Sequence, residues 1–153
     1  MSMQPSNGGS WLAPADKVAA QWGDFLLLVG RVLIGWIFIR YGWEQITDLP
    51  RFADSLARRG VPGFMGYIAG PVDILGGIAL VLGLGTRYVA PVMVVFTVVA
   101  TLISHSYWSY PVEQMRNQEA HFWRNVTLMG GLIVLFVHGA GRYALDRMLA
   151  RRP

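Results

Sequence analysis

The chain is 153 residues long, the size of one domain, and 54% of its residues are hydrophobic while only 14% are charged. This composition is too apolar for an ordinary soluble domain and predicts an integral membrane protein. The chain has no cysteine, which excludes thiolate metal sites and iron–sulfur clusters held by this chain. Its net charge of +4 is typical of arginine-rich membrane loops rather than of nucleic-acid binding.

Residues 1–24 are predicted to form a flexible N-terminal tail with Trp11 and Trp22 at the level of the lipid headgroups. No basic segment precedes an apolar run in this region, so we do not expect a cleavable signal peptide. The first membrane span is predicted from about Phe25 to Trp43, close to the ~20 residues that cross the hydrocarbon core. Steps of four, three and four place Arg31, Gly35, Phe38 and Gly42 on one helix face, which predicts contact with protein rather than lipid.

The following loop is predicted to contain a short amphipathic helix at the membrane surface. Asp48 can cap this helix, Pro50 suits its first turn, and Gly60 can end it. The second span is predicted from about Phe64 to Leu84, and Asp73 is the only charged residue within it. A carboxylate at that depth is costly in hydrocarbon and must face protein, water or a cation. It shares a helix face with three glycines, Gly66, Gly70 and Gly77.

Two further spans are predicted, from Val89 to about His105 and from about Phe122 to Ala140, separated by a polar loop over 113–121. A basic tail, 142–153, then ends the sequence. The predicted fold is therefore an all-α, four-helix transmembrane bundle covering 25–141, with both termini in the cytoplasm because arginines crowd the end of the last span.

An ordered series of short motifs resembles the DoxX family of membrane proteins. The motifs that carry the resemblance are Gly30-Arg31, Tyr41-Gly42, Gly60-Val61-Pro62, the run from Val72 to Gly77, the run from Leu82 to Arg87, Trp123-Arg124-Asn125-Val126 and the run from Gly139 to Asp146. The resemblance implies a four-helix bacterial inner-membrane protein, with relatives in quinone-linked and sulfur redox assemblies. The family usually has Glu in place of Asp73 and commonly Lys in place of Gln45.

The predicted site is a polar pocket formed by Arg31, Asp73 and Asn125, with Tyr41 and His105 as further candidates. Arg31 lies ~10 Å from the Asp24 end of its helix and Asp73 ~16 Å from the Leu84 end, on the same side of the membrane. We therefore hypothesise an Arg31–Asp73 ion pair. It would either fix helix register or belong to a pocket for a quinone or lipid headgroup, in which Asp73 handles a proton.

Scaffolding and transport are the alternatives to this hypothesis. A non-catalytic scaffold could bind a redox protein or a second copy of the chain through its basic tail and polar loops. Transport is less favoured because four helices enclose little volume and no inverted repeat is visible. His105 and His121 end and begin adjacent spans, but without further ligands they predict no metal or haem site.

Overall fold

The computed structural model describes residues 13–150, which form six α-helices and two single 3₁₀ turns and contain no strand. The helices are α1 (Ala13–Thr47), α2 (Leu49–Ala57), α3 (Gly66–Leu82), α4 (Thr86–Ser104), α5 (Val112–His138) and α6 (Leu145–Leu149). Four segments are long and apolar enough to cross a membrane: α1, α4, α5, and α3 together with the 3₁₀ turn before it (Gly63–Leu82). The predicted all-α four-helix transmembrane fold is confirmed.

Three of the long helices, α1, α4 and α5, begin earlier than predicted, and the difference is largest for α1 and α5. α1 starts at Ala13 rather than near Phe25, and its 35 residues extend roughly 52 Å, well beyond a ~30 Å hydrocarbon core. Trp22 therefore lies within α1, with its ring 5.9 Å from that of Phe25, whereas Trp11 is outside the described residues. α5 starts at Val112, so the segment predicted to be a polar loop forms the first turns of this helix.

The short helix predicted in the first loop is confirmed as α2. Pro50 stands in its first turn, and Gly60 has the positive φ of 75° that suits a chain reversal after a helix. The cap differs from the prediction because the Asp48 side chain makes no capping hydrogen bond. Its carboxylate instead lies 3.9 Å from the guanidinium of Arg51.

The four long helices form two closely packed pairs, α1 with α3 and α4 with α5, which contact each other less extensively. Glycines allow the backbones of the first pair to touch. A Cβ on Gly35 would lie 2.6 Å from the carbonyl oxygen of Gly77, and one on Gly42 would lie 2.7 Å from that of Gly70. The predicted glycine faces thus pack against each other, as expected for small residues at a helix interface.

The segment after α5 folds back onto the end of the bundle that carries the α3–α4 turn. Its Arg142 backbone N–H donates to the Asp24 carboxylate at 2.7 Å. The Asp146 carboxylate accepts a 2.8 Å hydrogen bond from the Gly85 N–H, and Ala144 is buried. The part of the predicted basic tail that the structure describes is therefore docked, while residues 151–153 lie outside the described residues.

Candidate functional site: a cleft between two helix pairs

Arg31 is fully buried, but it does not contact Asp73. Its Nη2 donates to the carbonyl oxygen of Tyr143 at 2.6 Å, and its Nη1 donates to that of Leu80 at 3.5 Å. Within residues 13–150 the two salt bridges join other residues, so the predicted Arg31–Asp73 ion pair is wrong. Arg31 instead attaches the C-terminal segment to the bundle.

The error arises from the register between α1 and α3. The Cβ of Asp73 faces Gly42, at 2.9 Å from the position that a Cβ on this glycine would take. Gly42 is eleven positions beyond Arg31 in the same helix, which separates the two levels by roughly 16 Å. The prediction placed the end of α3 level with Asp24, whereas the last turn of α3 lies against Arg31.

Asp73 lines a cleft of about 800 Å³ at the other end of the bundle, between the two helix pairs. Aliphatic and aromatic side chains form most of its walls, and α2 lies across one end through Phe52 and Leu56. Ile68 on α3 and Val99 on α4 line the cleft and are 52% and 51% exposed. Both helices belong to membrane spans, so we infer that the cleft is accessible from the lipid between them.

The first polar group in the cleft is a pair formed by Gln45 and Asp73. The Gln45 Nε2 donates a 2.8 Å hydrogen bond to the Asp73 Oδ2. The other end of the amide, Oε1 of Gln45, is buried and has no hydrogen-bond partner. This oxygen is out of reach of a ligand in the cleft, so the Asp73 carboxylate is the acceptor that the pair offers there.

The second polar group connects α1, α4 and α5. Arg124 donates to the Tyr41 hydroxyl, and its guanidinium carbon lies 4.5 Å from the centre of the tyrosine ring. Its Nε and Nη2 also lie 3.4 and 3.3 Å from Oδ1 of Asn125, whose Nδ2 donates to Thr101 Oγ1 at 2.9 Å. This network holds a guanidinium at the cleft wall with neutral partners only.

Two histidines line the cleft near its α2 end. The rings of His105 and His121 stack at 5.1 Å, and His105 Nδ1 lies 2.8 Å from Oε1 of Gln118. Among residues 13–150 no group of three or more His, Cys, Asp or Glu side chains is placed to hold a metal ion. The pair is a polar element of the cleft wall.

Of the predicted site residues, the structure brings Tyr41, Asp73, Asn125 and His105 to one cleft and places Arg31 outside it. Sequence analysis missed Gln45 and Arg124 as members of the site. The signal for Arg124 was available, because Gln118, His121 and Arg124 repeat at steps of three and so share a face of α5. The cleft combines apolar walls with hydrogen-bonding groups, which suits an apolar ligand with a small polar head.

Comparisons with known proteins agree with this architecture. The DoxX family model matches residues 26–106. The chain is similar to the inner membrane protein YqjF of Escherichia coli strain K12, at 32% identity over 84% of this chain and 95% of that protein. It is also similar to the inner membrane protein YphA of the same strain, at 30% identity over 80% of this chain and 89% of that protein.

A more limited similarity connects the chain to CatD of Bacillus subtilis strain 168, which is provisionally described as an oxidoreductase. The two are 29% identical over 50% of this chain and 57% of that protein. No solved structure matches the chain significantly.

Proposed function

Because this chain belongs to the DoxX family of bacterial inner-membrane proteins, we propose that it is an accessory subunit of a membrane redox assembly that binds a quinone-type ligand. The single observation that carries the proposal is the cleft between the helix pairs, which opens to the lipid and holds polar groups among apolar walls. A lipid-soluble molecule with an isoprenoid tail can enter such a cleft from the bilayer without crossing water.

The residues of this chain suit the two ends of a quinone head. Arg124 and Asn125 are positioned to donate or relay hydrogen bonds to a ring oxygen from α5. Asp73, with Gln45, is positioned to accept a proton or a hydrogen bond from the α1–α3 side. The oxidoreductase description of CatD supports a redox role. We propose both termini in the cytoplasm, which places the cleft near the periplasmic side.

The proposal predicts that the purified protein retains quinone and that filling the cleft removes it. Ala100 lines the cleft on α4, so Ala100→Trp places a large ring where the ligand would lie. We expect extraction of the protein from mild detergent to yield about one quinone per chain for wild type, and less than roughly a tenth of that for the variant. The amount is measured by chromatography of the organic extract.

The matched control is Gly130→Trp, on a part of α5 where an added Cβ meets nothing within 4 Å. It adds the same ring to an outward-facing position and should leave the quinone content unchanged. Two results together would contradict the proposal and favour a non-catalytic scaffold. Wild type would contain no quinone, and cells carrying Ala100→Trp would show unaltered quinol-linked oxygen uptake.

A further inference from the structure

The two walls of the cleft differ in hydrogen-bonding polarity. On the α1–α3 side the Asp73 carboxylate lines the cleft as an acceptor, and one of its oxygens already accepts from the Gln45 amide. The amide of Gln45 cannot simply rotate by 180° to offer its N–H groups, because Oε1 would then face the carboxylate as acceptor against acceptor. This side therefore requires a donor from a ligand.

The α5 side offers donors. A guanidinium has five N–H groups, and the contacts of Arg124 with Tyr41 and Asn125 engage at most three of them. In the part of the chain that the structure describes, no carboxylate lies within salt-bridge distance of Arg124. Two acids line the cleft nearby, but Glu44 pairs with Arg40 and Asp48 pairs with Arg51. A partly buried guanidinium without an acid favours an oxygen acceptor with negative character.

This polarity discriminates between the two redox states of a quinone. An oxidised quinone carries two carbonyl acceptors, so one of them would face the Asp73 carboxylate without a hydrogen bond. A quinol carries two hydroxyls, of which one can donate to Asp73 while the oxygen of the other accepts from Arg124. We propose that the cleft selects the reduced, quinol form, with Gln45, Asp73 and Arg124 as the residues that determine this preference.

The inference rests on the proposed function, because it concerns the ligand of the same cleft. It concerns binding alone and requires no electron transfer within this chain. Leaving a buried acceptor unpaired reduces affinity by roughly tenfold or more, which sets the size of the expected preference. Asp73→Asn offers an amide that can donate, so this substitution should remove or reverse the preference.

The test compares a short-chain benzoquinone, its quinol and the dimethyl ether of that quinol, titrated into the full chain in lipid nanodiscs under anaerobic conditions. We expect wild type to bind the quinol about tenfold more tightly than the quinone, and the ether, which has no donor, no better than the quinone. Asp73→Asn should bring the two affinities together or favour the quinone. Asp146→Asn, at the opposite end of the bundle, should retain the wild-type preference.

The outcomes separate this inference from the proposed function. Equal affinities of wild type for quinone and quinol would overturn the redox-state preference and leave quinone binding in place. A preference that persists unchanged in Asp73→Asn would equally overturn the role of the acceptor wall. Failure of wild type to bind either form would overturn the proposed function itself.

Discussion

Gly42→Ala is expected to lower the free energy of unfolding by about 2 kcal/mol or more, because the added Cβ would lie 2.7 Å from the carbonyl oxygen of Gly70. The atoms that it meets include backbone, which cannot rotate away as a side chain can. The two helices must therefore separate, which also shifts Asp73 at the cleft wall. Thermal unfolding of the purified protein in one detergent measures the change.

Two neighbouring glycines on α5 provide graded controls. Gly131→Ala would meet the Cδ1 atom of Ile34 at 2.7 Å, a flexible side-chain end that can move, so we expect a smaller loss. Gly130→Ala meets nothing within 4 Å and gains helix propensity, so it should be neutral or slightly stabilising. If all three substitutions had the same effect, backbone contact between α1 and α3 would not be what stabilises this pair.

Arg31→Met is the second substitution with a large expected effect. It removes the donor to the Tyr143 carbonyl and replaces a fully buried guanidinium, so we expect a loss of roughly 2–3 kcal/mol. The loss should be concentrated in the docked segment that follows α5. Hydrogen exchange of Tyr143–Leu149 should accelerate, as measured by mass spectrometry, while exchange in α4 changes little.

The control for this substitution is Arg147→Met, in the same C-terminal segment but exposed to solvent. It removes one arginine without removing a contact to the bundle, so exchange should remain as in wild type. Normal exchange of the segment in Arg31→Met, or a similar change in both variants, would contradict the role of Arg31 in docking.

Helical periodicity predicted the buried faces correctly. The four α1 residues placed on one face, Arg31, Gly35, Phe38 and Gly42, are the buried residues of that helix. The face predicted for the second span, which contains Asp73 and its three glycines, is likewise buried in α3. Spacing within a helix depends only on backbone geometry, so the sequence is sufficient to specify which residues face inward.

Relations between helices could not be predicted in the same way. The level at which Asp73 meets α1 depends on how the glycines interlock, which periodicity within either helix does not specify. Hydropathy also ends a predicted span where polar residues begin, although α5 continues as a helix through Gln118 and His121. The contact of Arg124 with Tyr41 joins two different helices, which periodicity within α5 does not specify.

The central claim is that a quinone binds in the cleft. Photolabelling tests this claim most directly, with a quinone analogue that carries a reactive group on its ring. Protein in lipid nanodiscs is irradiated, digested and analysed by mass spectrometry. We predict that the label is concentrated on cleft residues such as Val72 and Ile103, and that excess unlabelled quinone or Ala100→Trp prevents it. Labelling spread over the outer faces of the helices, unchanged by either competitor or variant, would contradict quinone binding in the cleft.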